Sequence, residues 1–171
     1  MTREEADLEL QRGMGTALRK AVFGPLEPLV DFYIPFHFFQ VSAERAGHIE
    51  ARVFGADAVT GKLDPYEFES LPGAEDTVYV ETRHCPPVLL DEARAQELLR
   101  GKLRRVSSPI RAREIALQAI AGEIYIPYWV GFYGRGTGSR FAVIDAMRCR
   151  REGAKVRQLL REWMESVTVK S

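Results

Sequence analysis

Asp57 and Asp145 stand at matching points in two similar stretches of the chain. Two carboxylates that approach each other can divide acid and base duties, because their environments push their proton affinities apart. A single Asp at a strand end does something simpler: it accepts hydrogen bonds from the N–H groups of the following turn. The sequence favours the simpler use for both. His37, His48, His84 and Cys85 are the group to test for metal binding. A site needs three or four ligands that converge. No pair here has a spacing such as Cys-x-x-Cys, and the adjacent His84 and Cys85 cannot easily ligate one ion together, so no metal and no cofactor are expected.

His37 lies among aromatics and reads as a buried, hydrogen-bonded core histidine. A general base in an aromatic pocket is the alternative, with Asp57, Tyr133 and Asp145 completing the polar lining. Cys149 sits among Arg148, Arg150 and Arg151, and nearby cations favour a reactive thiolate. No base to assist it can be named, so nucleophilic catalysis is not expected. The glycine-rich run over 134–138 could be taken for a phosphate loop. Such loops lead into a helix N-terminus, whereas this one leads into the strand-like "SRFAVID", which makes it a hairpin turn.

The stretch over 148–161 is strongly basic. With Arg135, Arg140 and the basic residues of 101–105 it could form an anion-binding face, for which Arg148, Arg150, Arg151 and Arg157 are the candidates. A solvated helix face paired with Glu152, Glu162 and Glu165 is preferred. Lys+Arg and Asp+Glu each number 24 in 171 residues, so no global field draws the chain to nucleic acid, and nucleic-acid binding is not expected. No apolar run reaches the roughly 20 residues of a membrane-spanning helix. The acidic start "MTREEADLEL" lacks the apolar core of a signal peptide, which points to the cytoplasm.

These residues need elements to position them. Helical periodicity covers 4–22, with Leu10, Met14, Ala17, Leu18, Ala21 and Val22 on one face, ended by Gly24-Pro25. Residues 29–41 and 49–59 read as strands. "TVYVETR" over 77–83 reads as a further strand. Asp91 caps a short helix to about Leu99 that Gly101 closes. Ser108-Pro109 opens a helix to Gly122. Strands follow at 123–133 and 139–147. A final helix spans 152–167, with Val156, Leu159, Leu160, Trp163 and Val167 on its buried face.

One signature occurs twice. Tyr33-Ile34-Pro35-Phe36 matches Tyr125-Ile126-Pro127-Tyr128 at a spacing of 92 residues, and Asp57-Ala58 matches Asp145-Ala146 at a spacing of 88. The four-residue difference falls in the hairpin loops, which tolerate length changes. The sequence therefore predicts a single α+β domain over 1–171. It would hold two helix-plus-hairpin repeats, near 4–61 and 109–168, joined by a divergent 62–108. Their strands would form an antiparallel sheet with helices packed in a second layer.

A helix, an aromatic strand opening near a proline, a hairpin and the ending "DAVTGKL" over 57–63 together resemble the PepSY-like family of small cystatin-like modules. The likeness covers about half the chain. The second copy departs from it, reading "DAMRCRREG" where the pattern has Thr-Gly. The resemblance implies binding or restraint of other proteins, and it transfers no catalytic residues.

Both aromatic runs are apolar on both strand faces, more than a small sheet needs. The leading expectation is a non-enzymatic module that works by protein contact, as a homo-oligomer or an accessory subunit. Its contact residues would be Tyr33, Phe36, Phe38, Tyr125, Tyr128, Trp129 and Phe132. The alternatives are a small-molecule binder or enzyme with an aromatic pocket, and a nucleic-acid binder using the basic stretch.

Overall fold

A computed structural model of the chain describes residues 1–12, 18, 21–22, 24–45, 48–82, 84–106, 115–134 and 140–168. Helix α1 (Arg3–Gln11) starts on a reciprocal cap that the local sequence dictates. Glu5 N–H donates to Thr2 Oγ1 at 3.2 Å, and Thr2 N–H donates to Glu5 Oε2 at 2.8 Å. The apolar period suggested one helix to residue 22. Helix α1 itself ends at Gln11, with Arg12 extended, but Leu18, Ala21 and Val22 are helical again, so the helical period holds on both sides of residues 13–17, which lie outside the described residues. Leu10 is buried, whereas Leu18, Ala21 and Val22 are exposed. Met14 and Ala17 lie outside the described residues.

The strands are β1 (Val30–Arg45), β2 (His48–Asp57), β3 (Tyr66–Phe68), β4 (Ile115–Tyr133), β5 (Arg140–Asp145) and β6 (Arg150–Arg151). They lie in one sheet in the order β3-β2-β1-β4-β5-β6. With helices α2 (Glu92–Val106) and α3 (Ala154–Thr168), the architecture is mixed α+β. Strands β1 and β2 pair antiparallel with Phe36 opposite Asp57, and β4 and β5 pair antiparallel with Tyr128 opposite Asp145. The outermost strands β3 and β6 are only three and two residues long. Short edges offer little template for unwanted strand pairing.

The helix expected to open at Ser108-Pro109 is replaced, over 115–122, by the start of β4. Ile115, Leu117 and Ala119 are half-buried while Ala116 and Gln118 are exposed. That alternation has the period of a strand, not of a helix. Residues 108–114, where the expected helix begins, lie outside the described residues. Of the strand expected at 77–83, residues 77–82 form no helix or strand, and the strand beside β2 is β3. In α2 the cap is as the sequence suggests, with Arg94 N–H donating to Asp91 Oδ1 at 2.7 Å. The helix does not close at Gly101. Ala95, Leu99 and Leu103 recur every fourth residue on one buried stripe and carry it through.

The chain divides into two compact units, Met1–Tyr33 with Ile126–Ser171, and Ile34–Tyr125. The two long strands β1 and β4 each lend a part to each unit.

In the unit Ile34–Tyr125, α2 packs its stripe on Phe39, Val41 and Ala56, with Phe54, Ile115, Leu117 and Ala119 beside them. The alternate residues of β1 build a separate aromatic group. The Phe36 ring stands edge-on to Tyr66 at 5.2 Å, Tyr66 stacks on Phe68, and Phe38 meets Phe68 at 5.7 Å.

In the other unit, Ala6 and Leu10 of α1 pack on Leu29 and Ile144, with Trp129 and Ala142 beside them. Gly131 allows this approach. A Cβ there would stand 2.7 Å from Leu10 Cδ1 and 2.8 Å from Leu26 Cδ1, closer than atoms can pack. Helix α3 packs on β5 through its buried Val156, Leu159 and Leu160. Trp163 is half-buried, edge-on to Phe32 at 4.9 Å, whereas Val167 is exposed in the last turn, not on the buried face.

Candidate interaction surface

Asp57 and Asp145 are both fully buried. Asp57 Oδ1 accepts from Thr60 N–H at 2.7 Å, Thr60 Oγ1–H at 3.0 Å and Gly61 N–H at 2.8 Å, while Oδ2 accepts from Leu63 N–H at 2.8 Å. Asp145 Oδ1 accepts from Met147 N–H at 2.9 Å and Arg148 N–H at 2.8 Å, and the Arg148 guanidinium stands 3.9 Å from Oδ2. A buried carboxylate is tolerable only when its lone pairs are used in this way. The two aspartates belong to different units, and each holds the turn that leaves its strand. The turns also match in backbone. Ala58 N–H donates to Pro35 O and Ala146 N–H to Pro127 O, at 2.9 and 3.1 Å. Four residues after each Asp the backbone is left-handed, at Gly61 (φ 65°) and Cys149 (φ 52°).

His37 is buried, with Nε2 hydrogen-bonded to Leu90 O at 2.8 Å. Leu89 and Leu90 N–H also donate to Ala58 O. His37 therefore fastens the segment leading into α2. Tyr133 is buried too, and its hydroxyl donates to Leu10 O at 3.4 Å. The four proposed pocket residues split two and two between the units, so neither unit assembles the set.

Of the seven aromatics expected to make contacts, Phe36, Phe38 and Tyr128 are buried in the chain's own interior. Successive strand residues alternate faces, but here both faces are covered. Trp129 is half-buried against α1 and its Nε1–H donates to Met1 O at 3.2 Å. Phe132 is half-buried beside Phe141. Tyr33 is half-buried, and burial, the charge of Asp31 and a hydrogen bond with it raise the phenol's pKa above 10.0. Tyr125 alone of the seven is exposed.

The basic candidates are largely engaged. Arg151 donates to the Glu9 and Arg12 carbonyls at the end of α1, where a helix's partial negative charge favours a cation. Arg150 stands 3.4 Å from Glu152, and Arg148 neighbours Asp145. Arg157 is exposed on α3. Arg135 and most of the glycine-rich loop lie outside the described residues. Among the described residues no three His, Cys, Asp or Glu side chains gather as a metal site, and no helix is long and apolar enough to cross a membrane.

What the sequence reading missed is the surface over 71–82. Leu71, Val78, Tyr79 and Val80 are all exposed, Val78 by 84% and Tyr79 by 95%. The signal was present in "TVYVET", but its strand propensity was read as a place in the sheet. No family model, curated protein or solved structure matches this chain.

Proposed function

We propose that this chain is a non-enzymatic module that works by protein contact, as a self-associating subunit or an accessory subunit of a larger assembly. One observation carries the reading: the consecutive exposed apolar side chains Val78, Tyr79 and Val80. Contiguous apolar surface of this kind marks docking sites in soluble proteins. The buried polar side chains among the described residues, His37, Asp57 and Asp145, support it from the other side. Each is occupied with backbone groups that shape turns.

The proposal includes an internal duplication. Matching strand registers, matching Pro-to-Ala hydrogen bonds and matching left-handed positions favour it. In each half the order is hairpin, edge strand, helix, so the repeated helix follows its hairpin. The likeness to PepSY-like modules belongs to the same proposal. It rests on the Asp57–Gly61 turn, whose Thr60 and Gly61 are both bonded to Asp57.

The test is stoichiometric co-purification of the tagged full chain from its own cells. Wild type should retain a protein at a fixed ratio, either its own untagged copy or another chain. Val78→Ser with Tyr79→Ser should lose it while melting at the same temperature. No protein at a fixed ratio with wild type would refute the reading.

A further inference from the structure

Resting on that contact reading, the distribution of charge in the unit Ile34–Tyr125 identifies a partner. Residues 63–82 carry six acidic side chains and no basic one, whereas residues 100–113 carry six basic side chains and no acidic one. The whole chain is balanced at 24 of each sign. The acidic stretch is also where Leu71, Val78, Tyr79 and Val80 are exposed, with Glu75, Asp76 and Glu81 exposed around them. In the basic stretch Arg100 and Arg104 are exposed on α2. Four residues apart, they share one helix face. Tyr79 is 95% exposed, so the chain's own α2 does not cover it.

We propose that the segment 75–81 docks on the Arg100–Arg104 face of α2 in a second copy of this chain, and that the second copy returns the same contact. The two patches are opposite in charge and belong to one compact unit. A two-fold pair therefore uses both patches twice and closes on itself, as isologous dimers do. Val78 and Tyr79 form the desolvated centre. Glu75, Asp76 and Glu81 facing arginines form the polar rim, which sets orientation and speeds encounter. Glu67 takes no part, because it is bonded to Arg52 at 3.0 Å. A different basic partner would fit the acidic segment but leave the arginine face of α2 unused. A second copy satisfies both.

Light scattering on the purified full chain, across concentration and salt, tests this. Wild type should rise to twice 19.3 kDa with concentration and return toward 19.3 kDa as salt is added. Val78→Ser with Tyr79→Ser should stay at 19.3 kDa with an unchanged melting temperature. Glu75→Lys with Glu81→Lys, and separately Arg100→Glu with Arg104→Glu, should each be monomeric. Mixed together, they should form a heterodimer, since opposite charges again face each other in both contacts. A monomeric wild type, a serine variant that still dimerises, or a mixture that stays monomeric would each overturn the proposal. If wild type is monomeric yet co-purifies with another protein at a fixed ratio, the second-copy inference fails and the contact reading stands. If neither association is found, both fail.

Discussion

The paired turns after Asp57 and Asp145 make opposite predictions for the same backbone position. Cys149 holds φ at 52°, where an L side chain costs about 1–2 kcal/mol, since Cβ crowds the following carbonyl. Its Sγ gives little back, lying 3.7 Å from Ala146 O on an exposed residue. Cys149→Gly removes the strain but adds roughly 0.4–1 kcal/mol of chain freedom to the unfolded state. The net should be a stabilisation of about 0.5–1 kcal/mol, a rise in Tm of roughly 1–4 °C for a chain of this size. Gly61→Ala runs the other way. It introduces the left-handed penalty at φ 65°, and its Cβ would collide with Leu98 Cδ1 and stand 3.1 Å from Leu90 Cδ1. Strain and overpacking together should cost about 2–4 kcal/mol. Thermal unfolding followed by circular dichroism, with urea midpoints beside it, reads both. Equal losses of stability in the two variants would refute the reasoning, because the strain would then not reside at Cys149.

Other expectations follow from the same geometry. Asp57→Asn should cost roughly 2–4 kcal/mol in urea unfolding, because an amide N–H₂ must then face a backbone N–H that now has a carboxylate oxygen. Asp145→Asn should also destabilise, because the buried carboxylate's charge beside the Arg148 guanidinium, 3.9 Å from Oδ2, would be lost. Leu99→Ala should destabilise by about 2–5 kcal/mol, as a buried leucine at the centre of the α2 stripe. Tyr33 titrates above its ordinary 10.0, held up first by burial and then by the Asp31 charge and hydrogen bond. The unfolded chain therefore releases this proton first. The contribution of Tyr33 is complete below pH 10 and is lost as pH rises through the folded pKa. Tyr33→Phe should remove that alkaline loss from stability measured against pH, and an unaltered profile would contradict the assignment.

The hairpins were legible because their aromatic and β-branched runs have no competing period, and Pro35 and Pro127 fixed where they align. The aspartates were legible as turn acceptors, since a short carboxylate at a strand end has few other uses. Other elements were hidden for physical reasons. Ile115, Leu117 and Ile120 suit a helix by spacing from Ser108-Pro109, yet the exposure of Ala116 and Gln118 shows that a strand's alternation prevails. Gly101 reads as a stop, but burial of Leu103 outweighs one glycine. Three of the seven expected contact residues are buried in the chain itself. Phe36, Phe38 and Tyr128 are aromatic, but composition does not say which aromatics find neighbours inside the chain. Tyr79 is 95% exposed, in a segment that was expected to be a strand and joins no sheet over 77–82.

The central claim is that residues 77–81 are covered by protein when this chain works. Placing a photo-crosslinking amino acid at Tyr79, and at the exposed Glu165 as a control, tests it in intact cells. Crosslinking from position 79 to one protein species, with none from 165, is the predicted result. Absence of any crosslink from position 79, or the same scattered products from both positions, would contradict the account.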